Sequence, residues 1–175
     1  MQSVPSWDLF LAIFFIVSIG YSFVLQRDKV VVTMLAIYAG IVISSVLSSP
    51  LQGLFNGDKT FANQLFIRAN ASPFSIQTFI FLLVTILISV RSGLSGRTSG
   101  RGALSNFELG LFSFLNSALI LAAVFSFLDP TAQAQFVAHS KIANLIITHM
   151  SWWFIAPLIA LVATGGLNKS GRSDY

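Results

Sequence analysis

Residues 30–49 read VVVTMLAIYAGIVISSVLSS. No charged side chain interrupts the run. The hydrocarbon core of a bilayer is roughly 30 Å thick, and a helix rising about 1.5 Å per residue needs about 20 apolar residues to cross it. This stretch is that long and that apolar. It also carries a pattern: Ala36, Gly40, Ser44 and Ser48 recur every fourth residue. In a helix they line up as one narrow stripe of small side chains. Surrounded by lipid, apolar side chains gain little by exchanging one apolar medium for another. Helices associate there through close packing and interhelical hydrogen bonds, which small residues permit. The stripe is therefore expected to face another helix. Packing inside the same bundle is the simpler reading, and a self-association surface is the alternative.

Four further stretches have the same character: 7–25, 74–90, 107–128 and 143–164. Hydrophobic residues make up 55% of the 175-residue chain, charged residues 9%, and the mean hydropathy is +0.80. Soluble domains carry about 25% charged residues. The expected fold is all-α: a single polytopic transmembrane helical bundle of five spans. The fifth stretch is the weakest, because it contains Asn144, His149 and Pro157. Pro157 removes a backbone bond and is expected to kink the helix there. The alternative is four spans plus an interfacial helix. The first stretch, with no basic region before it and no small-residue cleavage pattern after it, reads as a retained helix. The short turn Gln26-Arg27-Asp28-Lys29 makes spans one and two antiparallel neighbours, and Pro50 is expected to end span two.

Charge sets the orientation. With five spans and the N-terminus outside, Arg27, Lys29, Arg91, Arg97, Arg101, Lys169 and Arg172 lie inside. Lys59, Arg68 and Lys141 lie outside, so seven of the ten basic residues are cytoplasmic, as the positive-inside bias requires. Placing 143–164 on the surface would move Lys169 and Arg172 outside and level the count at five against five. The stretch 91–105, RSGLSGRTSGRGALS, reads as a flexible cytoplasmic linker and 165–175 as a polar tail. Arg91, Arg97 and Arg101 can meet anionic headgroups, while Trp7, Trp152 and Trp153 suit the aromatic belt of the membrane interface. After Asp58, the run KTFANQLFIR suits a short amphipathic helix. The net charge of +4 is spread over connections, which does not suit a nucleic-acid partner. The lipid bilayer is the expected partner, together with a second copy or other membrane proteins.

Chemistry is sparse. There is no Cys, so no disulfide, thiolate ligand or cysteine nucleophile. Paired intramembrane carboxylates, a Ser/His pair, an HExxH helix and a phosphate loop are all missing. His139 and His149 stand ten apart with no nearby carboxylate, a poor metal site. No catalytic residue, cofactor or metal is expected. Span four repeats the small-residue theme in Gly110, Ser113, Ser117, Ala118, Ala122 and Ser126, with Asn116 in its middle. Asn116 is expected to hydrogen-bond across helices, a contact worth about 1 kcal/mol.

Two segments carry a family resemblance. SIGYSFVLQRDKVVVTMLAIYAGIVISSVLSSPL and LSNFELGLFSFLNSALILAAVFSF are similar to the bacterial CvpA, or colicin V production protein, family. The first has a helix, a glycine and a basic turn leading to a second helix rich in small residues. In the second, Asn106 or Glu108 stands near an acidic position and Gly110 matches a glycine. Ser140-Lys141-Ile142-Ala143 is similar to a terminal piece of the family. Serines and Phe replace further glycines of span four, and the last stretch is more hydrophobic than is usual there. The resemblance implies a cytoplasmic-membrane protein linked to colicin V production or export and envelope upkeep, without established catalysis. Three functions are thus expected to compete: a non-enzymatic scaffold or assembly factor, a small channel or transporter subunit, and an accessory subunit of a larger membrane complex.

Overall fold

A computed structural model describes residues 6–24, 27–55, 72–91 and 106–163. Among them are seven helices and no strand: α1 (Trp7–Val24), α2 (Arg27–Phe55), α3 (Pro73–Arg91), α4 (Asn106–Ser126), α5 (Pro130–His139), α6 (Lys141–Thr148) and α7 (Met150–Ala163). The linker after Arg91, with Arg97 and Arg101, lies outside the described residues, as do the segment after Asp58 and the polar tail.

Three helices are long and apolar enough to cross a membrane: Lys29–Gln52, Pro73–Arg91 and Phe107–Ser126. A fourth crossing arises if α6 and α7 count as one span bent by 73°. Helix α1 is apolar but shorter. The chain is thus a multi-pass helical membrane protein, and its described residues supply three or four crossings by length and composition, against the five expected from sequence.

Several expectations are corrected. Helix α2 does not stop at Pro50 but runs on to Phe55. Proline already has a helical φ; it forfeits its N–H bond and crowds the carbonyl one turn back, a defect that neighbouring helices and Ser side chains can offset in a membrane helix. The stretch 143–164 is not one helix kinked at Pro157. The break falls at His149, whose backbone leaves helical geometry (φ −109°, ψ 28°), while α7 continues through Pro157. A further helix, α5, occupies what reads as a loop around His139. Asp129 is its N-cap, accepting from the Ala132 N–H, and Pro130 stands at its start. Both are strong helix-start signals. Finally, α1 barely touches α2. It packs on α4 and α6 instead, because a tight turn fixes only where two helices meet, not which faces they share.

Helix α4 is the hub. It contacts α1, α2, α6 and α7, and it is the most enclosed of the crossing helices. Its side chains feed two apolar clusters. One joins Leu109, Phe112, Leu119 and Ala123 to Val30, Met34 and Ile37 of α2, Phe81 of α3 and Leu161 of α7. The other joins Leu121, Ala122 and Phe125 to Leu11 of α1 and to Ala143 and Ile146 of α6. Helix α3 packs mainly on α2. Its outer face exposes Phe79, Leu82, Leu83, Ile86, Leu87 and Val90, side chains that would be costly in water and are at home against lipid tails.

Candidate functional site

The small-residue stripe of α2 is buried along its whole length. Ala36 and Ser44 are fully enclosed, Gly40 is buried, and Ser48 nearly so. Gly40 shows what the stripe accommodates. A Cβ added there would land on Thr85 Oγ1 and come within 3.2 Å of both Phe81 Cδ2 and the Phe81 carbonyl oxygen. Helix α3 therefore approaches α2 to backbone distance at this point, and only glycine allows it. The buried Thr85 hydroxyl has no hydrogen-bond partner. It faces the Gly40 backbone, the setting in which weak Cα–H···O contacts support helix crossings. The neighbour that fills the stripe belongs to the same chain.

The serines do not bridge helices. Ser44 Oγ donates to the Ile41 carbonyl at 2.9 Å and Ser48 Oγ to that of Ser45 at 3.2 Å. In α4, Ser113 Oγ donates to the Leu109 carbonyl at 2.6 Å and Ser117 Oγ to that of Ser113 at 2.9 Å. Each hydroxyl is satisfied by its own helix, so these serines pack as small side chains. Ala118 and Ala122 are fully buried beside them, Gly110 is half-buried, and Ser126 is exposed.

Two side chains do cross inside the bundle. Asn116 Nδ2 donates to the Val30 carbonyl at 3.0 Å, tying α4 to the first turn of α2. Its Oδ1 is buried without a partner. Tyr38 donates its hydroxyl to the Phe154 carbonyl at 2.6 Å, joining α2 to α7 three residues before Pro157. In sequence, Tyr38 is one more residue of the apolar run 30–49. Its phenol is long enough to reach a neighbouring backbone, and that is the signal it offered.

A third polar set closes one end of the bundle. Ser140 separates α5 from α6 with extended backbone (φ −143°, ψ 125°) and caps α6, its Oγ accepting from the Ala143 N–H at 3.0 Å. The same hydroxyl donates to Asp8 Oδ1 of α1 at 2.6 Å, and the Ile142 N–H donates to that oxygen at 3.1 Å. A carboxylate 132 residues away in sequence thus complements the positive end of α6. Nearby, Gln133 Nε2 donates to the Phe125 and Leu128 carbonyls at 3.0 Å each, covering the end of α4. Trp7 lies edge-on to Phe136 with centroids 4.9 Å apart, and Phe136 meets Phe125 at 5.5 Å. Asp129 accepts from Thr131 and from the Ala132 N–H. These bonds, the Thr131 hydroxyl first, hold its carboxyl below the usual carboxylate range.

The proposed interface anchors are scattered. Trp7 and Trp152 are about half to two-thirds exposed, Trp153 is half-buried against Phe114, and Arg91 is exposed at the last residue of α3. His149 is exposed at the α6–α7 break, with Nδ1 3.2 Å from the Leu145 carbonyl oxygen. Among the described residues no three His, Cys, Asp or Glu side chains come together as a metal site would need. Among the described residues the polar contacts join helices or cap their ends. No family model matches this chain, and neither does any curated protein or solved structure.

Proposed function

We propose that this chain is a non-enzymatic scaffold or assembly factor of a bacterial cytoplasmic membrane, of the kind the CvpA resemblance implies for colicin V export and envelope upkeep. One observation carries the reading. Asn116, Tyr38, Ser113 and Ser117 all spend polar groups inside the bundle on joining helices or on their own helix backbone, and the unpartnered Thr85 hydroxyl is packed against Gly40. A water-filled path or a reacting centre would need such groups turned toward a shared space. The small-residue stripe is already filled by α3, so partners meet the outer flanks of α1, α3 and α7. The seven-to-three charge bias supports five crossings, with α1 as the first, α6 and α7 together as the last, the N-terminus outside and the C-terminus in the cytoplasm.

The test is purification in native nanodiscs followed by mass spectrometry, beside ion and solute flux in liposomes that hold the protein alone. A scaffold yields a defined homo-oligomer or a fixed complex with other membrane proteins, and no flux above empty liposomes. Sustained flux from the purified protein would overturn the reading in favour of a channel.

A further inference from the structure

Helix α3 has two flanks beside its seam with α2. On one, Phe81 meets Phe127, just after α4, with ring centroids 5.7 Å apart. On the other, α2 and α3 enclose a cleft of about 490 Å³. Ile76 and Ile80 form its buried floor, and the exposed Leu47 of α2 and Phe79 and Leu83 of α3 form its rims. None of these side chains joins either core cluster, so the cleft opens outward from the bundle. Polarity changes along it. One end is marked by Ser75, near the start of α3, whose Oγ lies 2.8 Å from Ser72 Oγ. Leu51 of α2 lies beside Gln52, where the apolar stretch of α2 stops. Every side chain that lines the cleft apart from Ser75 is a hydrocarbon, as far as Val84.

Depth identifies the occupant. Both walls belong to helices long and apolar enough to cross a membrane, so the cleft lies in hydrocarbon. From Ser75 to Val84, α3 rises about 14 Å at about 1.5 Å per residue, close to half of the roughly 30 Å core. The cleft thus runs from one membrane surface to the midplane, the reach of a single leaflet. Its deep end adjoins Thr85, where Gly40 lets α3 close against α2. A helix of a second copy, about 10 Å across, would need a channel along the whole crossing. An acyl chain needs only a narrow apolar slot with a polar mouth. We infer that this cleft holds one acyl chain of a phospholipid, its methyl end beside Val84 and its headgroup above Ser72 and Ser75. In the orientation proposed above, that lipid belongs to the outer leaflet. The inference rests on the membrane reading but not on the scaffold role.

The probe is phosphatidylcholine with a photoreactive diazirine midway along one acyl chain, in vesicles that hold the full-length protein. After irradiation, peptide mass spectrometry should find label on Phe79 and Leu83 several-fold more often than on Phe10 and Ile13 of α1, which are similarly exposed. Leu83→Trp crowds the rim with a larger ring and should lower the label on Phe79 several-fold. Leu87→Trp, one turn further on the same helix and also exposed, should leave that label unchanged. Label on Phe10 should stay the same in both variants, which reports an intact fold. Equal labelling of α1 and the cleft would mean ordinary lipid contact and would overturn the proposal. So would label on Phe79 that is unmoved by Leu83→Trp, or lowered as much by Leu87→Trp. Less label in the cleft than on α1 would mean that protein covers it, either residues 59–68 or a second copy, and would overturn it too. No label on any of these helices would instead sink the membrane reading beneath it.

Discussion

The seam between α2 and α3 and the end of the bundle where α1 meets α5 and α6 hold helices together by opposite means. At the seam, Gly40 meets Phe81 and Thr85 with no conventional hydrogen bond from the Thr85 hydroxyl. At the end, Asp8, Ser140 and Gln133 hold helix termini through directed bonds. The difference follows from what each place lacks. Mid-helix, every backbone group is already paired, so only van der Waals contact remains to be gained, and that requires close approach. At helix ends, N–H and C=O groups are left over and must find partners.

The comparison can be broken hardest at the seam. Gly40→Leu drives a side chain into the Phe81 backbone, where nothing can yield, and should cost about 3 kcal/mol. Denaturant titration in detergent would show it. A variant unfolding at the wild-type midpoint would mean that the seam is not closely packed. At the bundle end, Ser140→Ala removes the α6 cap and the Asp8 contact together, and should cost about 1 kcal/mol. The loss should appear locally, as faster labelling of a cysteine at the buried Ile146, before any global change. If labelling there is unaltered, the cap does not hold α6.

Asn116→Leu sharpens the contrast further. It removes the bond to Val30, worth about 1 kcal/mol in a membrane, but also removes the unpartnered buried Oδ1. The two terms oppose, so stability should move less than for Ser140→Ala. A large loss in the same titration would show Asn116 to be essential glue. The smallest effect concerns Asp129. Its carboxyl is held below the usual range by Thr131 and Ala132, so its stabilising contribution is present above the unfolded value and lost as pH falls through the folded one. Stability of α5 should fall slightly below about pH 4 in the wild type and less in Asp129→Asn. Identical acid profiles would remove the cap from the account.

Much of the fold was legible in runs of apolar residues. Residues 30–49 and 107–128 stand out because lipid demands long uninterrupted apolar helices, and the four-residue spacing of Ala36, Gly40, Ser44 and Ser48 marks a packing face. Other features were not legible. The break at His149 looks like a continuous apolar stretch, and a proline eight residues later offers a more obvious place to bend. The Asp8–Ser140 contact joins positions 132 apart with nothing in either neighbourhood to announce the other. Tyr38 reads as one more apolar residue until its hydroxyl is seen at the Phe154 carbonyl.

Composition and periodicity by themselves determined that this chain lives in lipid, that it is helical, and that one face of residues 30–49 is built for close approach. These are one-dimensional consequences of hydrocarbon solvation and the 3.6-residue turn, and they need no knowledge of neighbours. Tertiary structure alone decided that α3 fills that face, that α4 is the hub, and that the last apolar stretch turns by 73° over the end of the bundle. Those outcomes depend on which surplus polar groups and which small residues meet in space, and pairing between distant positions leaves no mark on the local pattern of either.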